Sequence, residues 1–531
     1  MKRSLDQDSS VKKQALPVNG YNGFVVDGPE VAVARSSEGF YEKYVESRKP
    51  VKIIAPQLVP IDIGQFRLDR IVQALPEAEN GLLQVERKHG LGFGSGKKRQ
   101  EMRFGQIVEK LASGDDSYYL TTQYEKHEYA ETAASAADEA ANESEASDSP
   151  GTPEEGEIFD HHDDLEIHSG GDKSEDEDNE GGGFGDAVPY DGSESDDSID
   201  LDNLRDDFDE LDSGSEKAQD EDEEYVVPEH KLTQDEVDAR ISTLLQAPLT
   251  ELYKKKEFPL VPEIFGPLIP QQINLWMGAS RSSPKTAPDF TSPSKELLGR
   301  YVPKGNSSGL HHDHADNLYV LVQGKKRFTL YSPQDAEKLR TVGEIKRIFP
   351  NGLIDYKVNE RARFWRPMRA DGAMISEWAW WMLEKGDFST YSKEQLEGMV
   401  DDEEPAVEGE SDLDPPSFST VPPVLAHLDE VPEESRQSLE EYANANFPGF
   451  LDLKKLEVWL EPGEMLYLPT GWFHEVTSLA EDGAESGAHV ALNWWFVPPT
   501  GPRENPYPDG YWKEDFQKTL AGIRYQREQA V

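Results

Sequence analysis

The chain has 531 residues, with 54 Lys and Arg against 104 Asp and Glu, a formal net charge of −50 and no cysteine. The missing cysteine excludes disulfides and thiolate metal sites, structural zinc fingers among them, and the charge disfavours nucleic acid as a direct ligand because phosphate is repelled. No run of 18 apolar residues occurs and the N-terminus lacks a signal-peptide core, so no membrane role is expected and the expected home is nuclear and/or cytoplasmic, not secreted.

Residues 1–20 read as a disordered tail, in which Met1-Lys2-Arg3 and Lys12-Lys13 faintly resemble a split nuclear signal. Residues 21–126 read as the N-terminal helical and β part of a catalytic unit. Phe40-Tyr-Glu-Lys-Tyr44 suggests an amphipathic helix leading into a strand at Pro50-Val-Lys-Ile-Ile54, and Ser117-Tyr-Tyr119-Leu suggests a later strand. Residues 127–232 carry most of the net charge: segment 131–225 holds about 37 acids and 3 bases. With so few aliphatic side chains this insertion cannot bury enough surface to offset chain entropy, and disorder is expected. It reads as a solvated insert or as an acidic lure for a basic partner, and Ser174, Ser193 and Ser198, set among acids, read as acid-directed kinase sites.

Order is expected to resume at Thr233-Gln-Asp-Glu236, a capping box ahead of Val237, Ile241, Leu244 and Leu245 at helical spacing. Residues 233–500 read as the main β domain. Ile273-Asn-Leu-Trp276-Met-Gly278 is a strand, and Ser280–Pro303 is an insert. Asn317–Gln323 and Lys325–Tyr331 are apolar runs split by a Gln-Gly-Lys turn, which reads as a hairpin. An insertion at about 336–415 includes a positive island, Lys338–Arg369, whose nine bases outnumber its acids. It reads as a helical elaboration or as a substrate or regulatory lip, docked by the acidic tract. Leu456–Leu460 and Met465–Leu468 flank a Glu-Pro-Gly-Glu turn and suggest another tight connection, His489–Phe496 is a further strand, and residues 501–531 form a tail with a helix. Trp472, Trp494 and Trp495 read mainly as packing.

The chemistry lies in His311-x-Asp313 and in His474. In an extended strand positions i and i+2 point to one side, so His311 and Asp313 can reach one ion, and His474 from another strand completes two imidazoles and a carboxylate. That set caps one face of Fe(II) and leaves positions open for a co-substrate and O2, which points to an oxygenase. His312 and His314 read as bystanders.

These blocks resemble the jumonji-C (JmjC) family of Fe(II)- and 2-oxoglutarate-dependent oxygenases, in its cupin-8 branch of protein hydroxylases related to the asparaginyl hydroxylase that inhibits hypoxia-inducible factor. The resemblance covers roughly residues 20–125 and 235–500 and implies a double-stranded β-helix, the JmjC jelly roll, with flanking helices. It carries the metal ligands onto His311, Asp313 and His474. The basic residue for the distal carboxylate of 2-oxoglutarate falls on Lys326, and a hydroxyl partner three before the first ligand falls on Ser308. Polar residues flanking the co-substrate fall on Asn317 and Asn493, and a contacting tyrosine falls on Tyr119. The implied activity is hydroxylation of a side chain on a protein substrate, expected to be basic, such as a histone, ribosomal or GTPase-type protein. Lysine demethylation is the alternative, and a non-catalytic acidic scaffold for basic proteins on a cupin platform is a further one.

Overall fold

The computed structural model describes residues 18–88, 99–123, 232–280, 286–401, 413–481 and 487–529. The acidic insertion with its serines, the first 17 residues and parts of both later inserts lie outside the described residues. The strands of the N-terminal part are β1 (Ala32–Ala34), β2 (Val51–Ile53), β3 (Leu82–Arg87), β4 (Arg99–Arg103) and β5 (Tyr118–Leu120). They are followed by β6 (Pro270–Ala279), β7 (Asn306–Ser307), β8 (Asp316–Gln323), β9 (Lys325–Tyr331), β10 (Ile345–Ile348) and β11 (Ile354–Tyr356). The last four are β12 (Leu456–Leu460), β13 (Met465–Leu468), β14 (Phe473–Leu479) and β15 (Ala488–Phe496).

Two sheets face each other. One is nine-stranded in the order β1-β2-β13-β8-β15-β6-β5-β3-β4; the other is four-stranded in the order β12-β9-β14-β7. Side-chain parity sorts each strand between two apolar layers. On β8, Leu318, Val320 and Val322 join the layer outside the large sheet, while Tyr319 and Leu321 join Phe328 and Leu330 of β9 between the sheets. A third layer, with Tyr331, Phe473 and Leu439, covers the outside of the small sheet. Two opposed antiparallel sheets with helices outside them form the double-stranded β-helix that the motifs imply.

Neither of the two turns between apolar runs makes a hairpin. β8 pairs with β13 and β15, whereas β9 pairs with β12 and β14. The turn at Gly324 therefore carries the chain from one sheet to the other, and the Pro462-Gly463 turn does the same between β12 and β13. Gly324 has φ +88°, and a Cβ there would lie 2.6 Å from Cβ of His489. Turn chemistry specifies a reversal but not its partner. Every residue of β8 is buried, so no polar face marks which neighbour the strand takes.

Among the described residues, six α-helices of nine residues or more lie around the sheets: α1 (Phe104–Ala112), α2 (Gln234–Leu244), α3 (Ile375–Lys385), α4 (Lys393–Asp401), α5 (Glu433–Asn446) and α6 (Tyr511–Gln529). The capping box forms as read: Thr233 Oγ1 accepts from Glu236 N at 3.2 Å and Glu236 Oε2 accepts from Thr233 N at 3.0 Å. Helix α6 packs on α2, with Arg240 on Asp515 at 2.7 Å. The insertion at 336–415 starts in the last turn of a 3-10 helix, continues through the β10–β11 pair and then becomes α-helical. Part of its positive island is paired with acids, some inside it in sequence and some beyond it. Arg369 meets Asp371 and Asp509 at 2.7 Å each, Arg366 meets Glu377 at 2.9 Å, and Arg347 meets Asp355 at 3.2 Å. Among the described residues no helix is long and apolar enough to cross a membrane.

Candidate active site

The two candidate imidazole ligands, far apart in sequence, are joined by the backbone itself. His311 N donates to His474 O at 3.0 Å and His474 N to His311 O at 2.7 Å, which brings the ring centroids to 4.3 Å. His311 and Asp313 do not lie in a continuous strand as expected; they sit in the loop before β8, with His311 held by this isolated bridge. The loop is pinned to the turn before β14 by Gly471 N on Asp313 O at 3.0 Å and Thr470 Oγ1 on the same carbonyl at 3.2 Å.

Both histidines bind a backbone carbonyl through Nδ1: His311 to Gly309 O and His474 to Trp472 O, each at 3.0 Å. The carbonyls can only accept, so Nδ1 carries a proton and Nε2 is the nitrogen left to face a metal. Burial, and next the neighbouring His474 imidazole, hold His311 well below the ordinary histidine range. It is therefore neutral and available as a donor. One ligand atom from each of His311, Asp313 and His474 lies within 4.8 Å of the others. Two imidazoles and a carboxylate converging on one point fit a divalent first-row ion.

The second element of the site is Lys326. Parity puts residues 326, 328 and 330 of β9 between the sheets, and Ser478 of β14 is its cross-strand partner. Lys326 is 1% exposed and forms no ion pair among the described residues. Its Nζ lies 2.5 Å from Ser478 Oγ, 3.3 Å from His489 Nδ1 and 3.5 Å from the Tyr119 hydroxyl. Burial, opposed by the charge of Glu475, pulls its pKa from 10.5 down to about 7. A buried cation without a counter-charge is costly, and an incoming carboxylate relieves that cost.

The expected residues divide into three groups. Tyr119, the tyrosine expected to contact the co-substrate, comes to Lys326, its hydroxyl 3.5 Å from Nζ. Asn317 and Asn493 come to the triad: Asn317 Nδ2 donates to Asp313 Oδ2 at 3.1 Å, and Asn493 Nδ2 to Asn317 Oδ1 at 3.2 Å. Ser308 is placed differently. Its hydroxyl donates to Gly309 O at 2.9 Å and accepts from Val476 N at 3.1 Å, so it is engaged by the backbone, and the hydroxyl on Lys326 is that of Ser478. Ser478 and His489 were missed from sequence. The available signal was parity: 474, 476 and 478 share a face of β14, as 489, 491 and 493 share a face of β15. Gly278 makes room for this arrangement, since a Cβ there would collide with the rings of both Tyr119 and His489. His312 is a packing residue bonded to the Tyr356 hydroxyl at 2.5 Å, and His314 packs on Trp365. Trp472 and Trp494 are fully buried in the apolar layers, whereas Trp495 faces the cavity.

A cavity of about 940 Å³ is lined by His311, Asp313 and His474, and also by Tyr119, Ser478 and His489 beside Lys326. Its outer walls come from α2, α6 and the segment around Phe418. A jelly roll with a His-Asp-His cluster on a cavity, and a buried lysine just behind that cavity's wall, defines the cupin class of oxygenase folds.

Residues 194–501 match the family described as Cupin-like domain. The chain belongs to this family, that of the JmjC domain oxygenases. It is 29% identical over 334 residues to JmjC domain-containing protein 4 of Schizosaccharomyces pombe, covering 52% of this chain and 64% of that protein. It is 23% identical over 235 residues to the lysine-specific demethylase JMJ32 of Arabidopsis thaliana, covering 44% of each. It is 24% identical over 224 residues to the human bifunctional peptidase and (3S)-lysyl hydroxylase JMJD7, covering 40% of this chain and 48% of that protein. The chain thus spans between 44% and 64% of the length of these relatives.

Proposed function

We propose that this protein is an Fe(II)- and 2-oxoglutarate-dependent oxygenase that hydroxylates a side chain of a protein substrate. The observation that carries the reading is Lys326, a buried cation with no acidic partner among the described residues, set behind Tyr119, Ser478 and His489, which line the same cavity as the His-Asp-His cluster. His311 and His474 would hold the iron through Nε2, and Asp313 through its carboxylate. Iron with 2-oxoglutarate and O2 would supply the oxidising power that converts a C–H bond to C–OH. Lys326 would bind the distal carboxylate of 2-oxoglutarate, assisted by the hydroxyls of Ser478 and Tyr119, through charge-assisted hydrogen bonds. Asn317 would hold Asp313 in place from behind. Ser308 would shape the pocket wall through its backbone pairing.

Two relatives are named for chemistry on lysine, one as hydroxylase and one as demethylase. Lysine is therefore the first side chain to test, and demethylation is the second reading. A basic protein suits the charge of −50, and we place its action in the nucleus or cytoplasm.

The test is uncoupled turnover: purified protein with Fe(II), ascorbate and 2-oxoglutarate should form succinate, and His311→Ala should not. Absence of succinate in the parent would favour the acidic scaffold. Mass spectrometry of lysine-containing basic peptides then separates gain of an oxygen atom from loss of a methylene unit.

A further inference from the structure

The carboxylate of Asp313 is reached by a chain of three hydrogen bonds that begins at an indole. Trp276 Nε1 donates to Asn493 Oδ1 at 2.8 Å, Asn493 Nδ2 donates to Asn317 Oδ1 at 3.2 Å, and Asn317 Nδ2 donates to Asp313 Oδ2 at 3.1 Å. The three strands involved, β6, β15 and β8, are adjacent, and the registers Trp276 with Ala491 and Asn317 with Trp495 put Asn493 diagonal to both side chains on one face. Both asparagines are buried.

The two ends of the chain have fixed polarity. An indole N–H can only donate, and an ionised carboxylate can only accept. An amide has one donor end and one acceptor end, so a single combination of amide orientations satisfies all three bonds. Turning either amide sets N–H against N–H or oxygen against oxygen. The indole thus dictates, through two amides, that Asn317 offers its NH2 group and not its oxygen to Asp313. We infer that Trp276 is a positioning residue for Asp313, setting the direction of a hydrogen-bond relay that fixes the plane of the carboxylate. The inference rests on the metal-site reading above and adds to it a residue on β6 that contributes no metal ligand.

Trp276 also forms part of the cavity wall, with its ring centroid 6.3 Å from those of both Tyr119 and Trp495. Trp276→Phe keeps a ring in that wall and removes only the donor. Outer partners of metal ligands are worth about 10–100-fold in metal affinity, so a loss of about 10-fold or more is expected.

The test is titration of the full-length protein with Co(II), followed by its visible absorption, for the parent, Trp276→Phe, Asn317→Ala and the double variant, with His311→Ala as control. A relay predicts weaker Co(II) binding and altered band intensities in Trp276→Phe. It also predicts no further loss when Trp276→Phe is added to Asn317→Ala, because the signal must pass through Asn317. Additive losses, or parental affinity and spectrum in Trp276→Phe, overturn the relay while leaving the metal site intact. If Trp276→Phe does not fold, Asn493→Asp replaces it in the same cycle. There the new carboxylate accepts from both neighbours, turns the Asn317 oxygen toward Asp313 and should weaken Co(II) binding by a similar factor; unchanged affinity overturns the proposal. Failure of the parent to bind Co(II), or equal binding by His311→Ala, overturns the metal-site reading and the relay with it.

Discussion

Arg48 and Lys326 are both buried cations, 3% and 1% exposed, and the protein treats them in opposite ways. Arg48 donates to both carboxylate oxygens of Asp316, Nη1 to Oδ2 at 2.9 Å and Nη2 to Oδ1, and adds Nε on Asn351 O at 2.9 Å. Asp316 also accepts from the Tyr467 hydroxyl at 2.6 Å and from Thr470 N at 2.9 Å. That closed network ties the N-terminal segment to the loop carrying Asp313 and to the turn ahead of His474. Among the described residues, the polar groups that Lys326 Nζ contacts are a hydroxyl, an imidazole and a phenol. A buried charge with all its partners serves architecture; the role proposed for Lys326, left without its counter-charge, is to take an anion that arrives later.

Asp316→Ala should show the largest effect. It leaves the Arg48 guanidinium buried without its anion, and a loss of about 3–5 kcal/mol is expected in denaturant unfolding. Retention of parental stability would remove the architectural half of the comparison. Lys326→Met, which keeps the bulk and drops the charge, should raise KM for 2-oxoglutarate about 100-fold without lowering the stability of the ligand-free protein. A marked drop in melting temperature with unchanged KM would make Lys326 a structural residue like Arg48.

The third expectation concerns pH. The folded pKa of Lys326, about 7, lies below its ordinary value of 10.5. Between those values the unfolded chain holds more protons, so in the ligand-free protein the cost of burying Lys326 is fully present below pH 7 and is relieved as pH rises toward 10.5. Binding of an anion requires the protonated form. Affinity for 2-oxoglutarate should therefore be flat below pH 7 and fall above it, by up to about tenfold per unit, in calorimetric titrations with a redox-inert metal. A flat profile to pH 9 would show that Lys326 keeps its proton without the ligand. The smallest effect belongs to Arg366, whose ion pair with Glu377 is about half exposed. Arg366→Ala should cost less than about 1 kcal/mol by thermal unfolding, because solvent screens such pairs.

Much of this site was legible along the chain because its parts are local. The triad shows as residue types at a fixed spacing, the α2 capping box shows as Thr233 and Glu236 three apart, and Lys326 shows at the start of an apolar run. The hairpin reading failed at Gly324, where the turn serves a change of sheet, and the tight connection read at Gly463 also turns out to join the two sheets. Ser308 was matched by its offset from His311, yet β7 pairs with β14 in a register that engages its hydroxyl with the backbone. The ion pairs of Arg366 and Arg369 were not legible because Glu377 and Asp509 lie beyond the ends of the positive island.

The sequence by itself determined which chemistry was present: two histidines, a carboxylate and a lysine in β-rich surroundings, with no cysteine to compete. Only the tertiary structure decided which polar groups meet. Ser478 and His489 reach Lys326, and Trp276 reaches Asp313 through two amides, by cross-strand register between segments far apart in the chain. Register and sheet choice depend on burial on both faces of each strand, a property of the packed whole that no single segment carries.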